Sequence, residues 1–192
     1  MVVSSVLLML LAVPMLVIAT VIRIDSPGGV FYRQERVTAY GKRFMIHKFR
    51  TMVVNADTVG TQVTIRNDSR VTRVGKFLRK YRLDEFPQLI DIFTGDMSFV
   101  GTRPEVVKYV EVYTREMRAT LLLPAGVTSE ASIHYKNEAE LLRKAEDVDK
   151  VYVEKVLPGK MKYNLENIRK FGLGRDIRIM IMTLLAVCGK TY

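Results

Sequence analysis

VVSSVLLMLLAVPMLVIATVI, Val2 to Ile22, carries no charged side chain and meets the length of ~20 apolar residues that crosses a hydrocarbon core. Such a segment must meet lipid. A secretory signal peptide would need a basic stretch before the apolar run, whereas Met1 is followed directly by Val2 and Val3. Pro14, in the middle, has no N–H to donate and its ring crowds the preceding turn, so a helix is expected to bend or break there. Two topologies follow: a kinked span, or a re-entrant hairpin that enters and leaves by one face. From Arg23 to Arg50 seven basic residues (Arg23, Arg33, Arg36, Lys42, Arg43, Lys48, Arg50) stand against Asp25 and Glu35. That excess belongs on the cytoplasmic side. The expected organisation is a membrane segment over residues 1–24, with a helix-break-helix at Pro14, and one cytosolic domain over 25–192.

Composition narrows the partners. In 192 residues, 30 Lys+Arg against 20 Asp+Glu give a net charge of +10, which suits a nucleic acid, a phosphorylated small molecule or an anionic membrane surface. Cys188 is the single cysteine, so an internal disulfide and a cysteine-built zinc site are excluded. With only His47 and His134, a histidine cage is excluded too. Any metal is expected to be a hard cation held by carboxylates and phosphates.

Beyond the apolar run, Ser26-Pro27-Gly28-Gly29 is turn chemistry, and Val30 to Gln34 reads as a short strand. Arg43 to Arg50 reads as a second strand, the two forming a hairpin around Ala39-Tyr40-Gly41-Lys42. Residues 53–70, polar and with little periodicity, read as a loop with one helical turn at most. Lys76 to Arg82 reads as a short helix, and Leu83 to Gln88 begins another that stops near Gly95, with Pro87 in its first turn. Helical periodicity covers Glu105 to Leu122, Glu138 to Val156 and Lys160 to Phe171. Asp176 to Val187 is apolar but too short to span, and reads as a core or interface-lying helix. The expected fold class is α+β, mostly helical.

Asp84-Glu85 is an adjacent carboxylate pair at an expected helix start, preceded by Lys76, Arg79, Lys80 and Arg82. Helix N-termini favour anions, so Asp84 is expected to stay ionised with a phosphate held nearby; the plainer reading is that Asp84 caps the helix and Glu85 meets its dipole. Gly95 to Pro104 sets Arg103 among turn residues, where a guanidinium fork suits phosphate or an ordinary loop salt bridge. Lys48 and Arg50 close the second strand and suit either a phosphate or a solvated strand end.

Five motifs, in this order and spacing, carry a resemblance: the apolar run with Pro14, Phe31-Tyr32-Arg33-Gln34, Lys48-Phe49-Arg50-Thr51-Met52, the block from Asp68 to Leu89 that includes Arg82-Leu83-Asp84-Glu85-Phe86-Pro87-Gln88, and Gly95 to Pro104. Together they resemble the bacterial sugar transferases, or monotopic phosphoglycosyl transferases, from Val2 through the final helix. The resemblance implies a re-entrant membrane helix bent at Pro14 and a cytosolic catalytic domain at the bacterial inner membrane. It implies transfer of a sugar-1-phosphate from a UDP-sugar to a membrane polyprenol phosphate such as undecaprenyl phosphate, with release of UMP and a requirement for magnesium (Mg2+), starting surface polysaccharide or glycoconjugate assembly. By the same resemblance Asp84 is the nucleophile that becomes a phosphosugar-aspartate, Glu85 its partner at the magnesium, and Lys48, Arg79 and Arg103 the phosphate clamps. The chain departs from the family's usual pattern at Val13, where serine precedes the bending proline, at Thr102, where proline is usual, and at Pro124 to Ser129.

The implied partners are the UDP-sugar, polyprenol phosphate and membrane lipid, with no nucleic acid and with a homo-oligomer left open. A membrane-tethered nucleic-acid module would need only the charge, but the basic cluster from Arg66 to Arg82 ends in two carboxylates that repel a phosphate backbone. The other rival is a catalytically silent scaffold of the same fold; the joint presence of Asp84, Glu85 and Arg103 argues against it.

Overall fold

The computed structural model describes residues 1–56, 68–142 and 145–190. Its first element, α1 (Val2–Asp25), is one uninterrupted helix with Pro14 inside it. The expected break into two helices at Pro14 is therefore absent. Proline removes only the single bond that residue 14 would have given to the carbonyl of Leu10. On either side of it the helix is held by packing: Leu7, Leu8 and Leu11 against Phe44, Ile46, Leu89, Ile92 and Met97, and Met15, Ile18, Ala19 and Ile22 against Phe49 and Leu78. The opposite face, including Val6, Leu10, Val13, Val17, Val21 and Ile24, is exposed. At 24 residues α1 is long and apolar enough to cross a membrane, yet it runs along the domain instead of leaving it.

β1 (Phe31–Val37) and β2 (Arg43–Phe49) form the expected antiparallel hairpin, in register from Phe31 opposite Phe49 to Val37 opposite Arg43. The tight turn between them is left-handed at Tyr40 (φ 57°) and Gly41 (φ 76°). α2 (Arg73–Lys80) is capped by Thr72, whose hydroxyl accepts the Gly75 N–H at 3.0 Å. Of the polar stretch 53–70, residues 57–67, with Asp57, Arg66 and Asn67, lie outside the described residues. Asp68 pairs with Arg70 at 2.6 Å.

A long helix from Leu83 does not form. Leu83–Glu85 is a single 3-10 turn entered through a left-handed Arg82 (φ 54°), and α3 (Gln88–Phe93) begins after Pro87. The expected helix over Glu105–Leu122 is also divided, into α4 (Val107–Glu111) and a 3-10 turn over Met117–Leu122. Its many β-branched residues are poor helix formers, and the Thr114 hydroxyl takes the Met117 N–H that a continuing helix would use. Glu138–Val156 likewise becomes α6 (Glu138–Leu141), α7 (Val148–Val151) and a π turn over Tyr152–Val156, because Asp147 caps a fresh start by accepting from Lys150 N–H at 2.9 Å. Between α4 and α6 stands α5 (Glu130–His134); α8 (Leu157–Arg169) and α9 (Leu173–Val187) match their expected helices with earlier starts.

One pairing has no counterpart in the sequence reading. β3 (Met97–Val100) and β4 (Ala125–Thr128) form a parallel two-stranded sheet, Met97 opposite Ala125 and Val100 opposite Thr128. Just beyond it the backbones touch: a Cβ on Gly126 would lie 2.1 Å from the Gly101 nitrogen, and Gly126 N–H donates to the Thr102 carbonyl at 2.9 Å. This contact fixes the direction of the chain into Arg103. Gly126→Ala should therefore push the strands apart at a cost of about 1–3 kcal/mol, lowering the thermal midpoint of the detergent-solubilised protein by several degrees. An unchanged midpoint would show that the strands yield without cost.

Candidate active site

Four segments converge on the acidic pair. Lys48 follows Phe44 and Ile46 at the two-residue spacing of one strand face, so the face that buries apolar side chains ends in an ammonium group. Arg79 lies one turn beyond Gly75, whose missing side chain lets α2 rest on Thr51; a Cβ there would sit 2.1 Å from the Thr51 carbonyl oxygen. In this position Arg79 Nε donates to Thr51 Oγ1 at 2.8 Å. Arg103 arrives from the loop after β3, and Asp84 and Glu85 from the 3-10 turn.

The two carboxylates are unequal. Glu85 is held by Arg103 through both guanidinium nitrogens, by Lys48 Nζ at 3.2 Å and by Arg82 at 3.8 Å. Burial by itself raises its pKa, but Arg103, then Lys48 and Arg82, more than offset this and hold the carboxyl well below the usual range. Asp84 is equally buried, and among the described residues it makes no ion pair or side-chain hydrogen bond. Burial first, then repulsion from Glu85, push its pKa up against the pull of Lys48, Arg79 and Arg103. Burial lowers Lys48 to about 8 despite the attraction of Glu85, and burial likewise lowers Arg79. Arg103 is raised, chiefly by Glu85.

Asp84 and Glu85 open onto a cleft of 610 Å³ whose walls carry Arg36, Lys48, Arg79, Lys80, Arg82 and Arg103. All three sequence-predicted clamps thus stand around the predicted pair. Pro14 lies far along the chain on the exposed face of α1. A cleft this cationic, with one carboxylate neutralised and its neighbour unpaired, suits a polyanion approached by a carboxylate oxygen.

A match to the family described as bacterial sugar transferase covers residues 1–190. The chain belongs to that family. It is 36% identical over 188 residues to the UDP-glucose:undecaprenyl-phosphate glucose-1-phosphate transferase of Escherichia coli (strain K12), covering 95% of this chain and 38% of that protein. The UDP-N-acetylgalactosamine-undecaprenyl-phosphate N-acetylgalactosaminephosphotransferase of Aeromonas hydrophila is 34% identical, over 88% of this chain and 38% of its own length. A UDP-glucose:undecaprenyl-phosphate glucose-1-phosphate transferase of Caulobacter vibrioides is 32% identical over 95% of this chain and 66% of that protein. The chain spans less than two-fifths of the first two relatives.

As a bacterial sugar transferase, this chain has site residues that sequence reasoning did not single out. Arg36, half-buried on β1, reaches the cleft while Nη1 donates to the Pro104 carbonyl at 3.2 Å and Nη2 to Gln34 Oε1 at 2.5 Å. Its two-residue spacing from Tyr32 and Gln34 on β1 was the available signal. Glu105, which is buried, accepts from Tyr152 OH at 2.6 Å and from Lys160 Nζ at 3.4 Å, and Lys160 also meets Glu138 at 3.1 Å. No local pattern links residues so distant in sequence.

Among the described residues no group of three or more His, Cys, Asp or Glu side chains could hold a metal ion. Magnesium takes one or two carboxylates and fills its shell with phosphate oxygens and water; in this cleft Asp84, which makes no ion pair among the described residues, and Glu85 are the adjacent carboxylates that would meet it.

The site yields a binding prediction. Lys48 carries its charge below pH 8 and loses it above, so affinity for UDP as a diphosphate probe should fall as pH rises through 8. Lys48→Arg, whose guanidinium stays charged, should carry the affinity to higher pH. Calorimetric titration from pH 6.5 to 9.5 checks both, and a flat wild-type profile would remove Lys48 from anion binding.

Proposed function

We propose that the chain transfers a sugar-1-phosphate from a UDP-sugar to a polyprenyl phosphate in the membrane, releasing UMP, through a phosphosugar bound covalently to Asp84. One observation carries the reading: Glu85 is pinned by three cations while Asp84, beside it, has unpaired carboxylate oxygens facing a cationic cleft. An Asp84 oxygen attacks the sugar-bearing phosphorus, the bond to the bridging oxygen breaks, and UMP leaves. A phosphate oxygen of the acceptor then forms the new bond to that phosphorus as the Asp84 oxygen departs. Lys48, Arg79 and Arg103 neutralise the non-bridging oxygens so that one anion can approach another. Glu85 keeps Arg103 and Lys48 aimed into the cleft. Burial and the Glu85 charge keep Asp84 basic, and so a better nucleophile. Magnesium, which Asp84 and Glu85 would hold with the donor's phosphates, supplies further charge neutralisation and orientation.

The relatives, named as glucose-1-phosphate and N-acetylgalactosamine phosphotransferases to undecaprenyl phosphate, support the donor and acceptor classes without choosing a sugar. The proposed location is the bacterial cytoplasmic membrane, with the domain on the cytoplasmic face. A re-entrant seat for α1, with the helix bent at Pro14 rather than broken into two, is supported by packing of both of its halves on one domain. Were α1 to cross ~30 Å of hydrocarbon, its N-terminal half would have to leave the domain that Leu7, Leu8 and Leu11 cover.

Incubation with UDP-glucose or UDP-N-acetylgalactosamine and magnesium, without acceptor, should leave a phosphosugar on Asp84 detectable by peptide mass spectrometry. An adduct on another residue, or none with any UDP-sugar while transfer proceeds, would overturn the covalent step. Asp84→Asn should abolish transfer. Arg103→Lys keeps the charge but loses the two-pronged grip on Glu85, and should lower turnover on the order of tenfold or more. Near wild-type turnover would make Arg103 a structural loop residue.

A further inference from the structure

Asp84 lines two cavities. Besides the 610 Å³ cleft, a second space of 300 Å³ lies against it, whose lining joins Phe31, Met52, Val53 and Val54 to Arg50, Arg70, Lys48 and Arg79. The two share Arg36, Lys48, Arg79 and Asp84, whereas Glu85 and Arg103 belong to the first alone. Their characters differ. The first is lined mainly by charged and polar residues, Lys136 and Asn137 among them; the lining of the second includes the apolar Phe31, Val53 and Val54, each about half exposed.

The wall of the second cavity is tied to the end of α1. Arg50, in its wall, donates to the Ser26 carbonyl at 2.8 Å and the Pro27 carbonyl at 2.5 Å, immediately after α1 ends at Asp25. Gly28 has no side chain where one would strike Arg50 and Val54. The lining of the cavity is therefore packed against the segment that joins α1 to the polar domain. A ligand with an anionic phosphate at one end and a hydrocarbon chain at the other matches this gradient: phosphate at Lys48 and Arg79, chain across Val53, Val54 and Phe31.

From this we infer that the second cavity is the port of the lipid acceptor, through which its isoprenoid chain leads from the phosphate at Asp84 out to the membrane. The inference rests on the two-step reading above. In-line displacement at phosphorus requires the acceptor oxygen to enter opposite the departing Asp84 oxygen, where the UMP oxygen had left. The two phosphates thus use one cationic cradle in turn. What differs is the exit: the nucleoside extends along the wide polar cleft and the isoprenoid along the apolar port. One P–O bond forms and one breaks in each step, with no net redox change.

The test separates the half-reactions in the full chain. Exchange of labelled UMP into UDP-glucose or UDP-N-acetylgalactosamine, whichever is accepted, reads the first step without acceptor. Transfer to undecaprenyl phosphate in detergent reads the second. Val54→Asp, with Val53→Asp as an independent second variant, puts a charge against the chain at a half-exposed position. The acceptor KM should rise on the order of tenfold while the exchange rate changes less than about twofold, which also certifies the fold. The disadvantage should shrink with geranyl phosphate, whose chain is far shorter than that of undecaprenyl phosphate and makes fewer contacts along the port. An unchanged acceptor KM in both variants would overturn the port. So would a parallel loss of exchange and transfer, which would assign the cavity to the donor's sugar. Absence of exchange in the unsubstituted chain would instead remove the two-step reading beneath it.

Discussion

The hold of Arg103, Lys48 and Arg82 on Glu85 organises the rest of the site. These cations come from the β3–α4 loop, from β2 and from the residue before the 3-10 turn, so one buried carboxylate joins three segments. Removing two or more charges from water is costly, and the cost is offset only when the geometry satisfies most of the groups involved. Here both oxygens of Glu85 are engaged. Because Asp84 is its covalent neighbour, fixing Glu85 also fixes Asp84, which is left with basic, unpaired oxygens.

A second buried network steadies the same loop from the other side. Glu105, two residues after Arg103, is held by Tyr152 from the π turn and Lys160 from α8, and Lys160 reaches Glu138 as well. Arg36 meets the carbonyl of Pro104 between them. The loop that carries Arg103 is thus braced by β1 and by the helical layer, and the Gly101–Gly126 contact sets its start. Preorganisation of this kind lets the cations face developing charge without rearranging during the reaction.

The membrane side follows from packing rather than from length. α1 satisfies a span by composition, yet one face serves as a wall of the domain while the other presents an apolar stripe. α9 repeats the arrangement on a smaller scale: Ile179 is buried, the Thr183 hydroxyl meets that of Thr128 at 2.6 Å, and Ile177, Ile181 and Leu184 remain exposed. Asp84 lines both the cationic cleft and the second cavity, whose lining includes the half-exposed Phe31, Val53 and Val54.

The sequence by itself determined the features that depend on neighbours along the chain. The uncharged run from Val2 to Ile22, the β1–β2 hairpin, α8, α9 and the mostly helical α+β character were legible, since periodicity and turn chemistry are local; Lys48, Arg79, Asp84, Glu85 and Arg103 could be named from their motifs, and the fold gathers them around one cleft. Helix continuity was not legible. A run such as Glu105–Leu122 has the helical period, but competing caps and β-branched residues end it early, and Pro14 leaves α1 whole because tertiary packing outweighs one lost hydrogen bond. The parallel β3–β4 pair, the Arg36 and Glu105–Tyr152–Lys160 contacts, and the difference between the two adjacent carboxylates were decided only in three dimensions. Their physical cause is the same throughout: charge and close approach act across space between residues far apart in sequence, and only folding sets those distances.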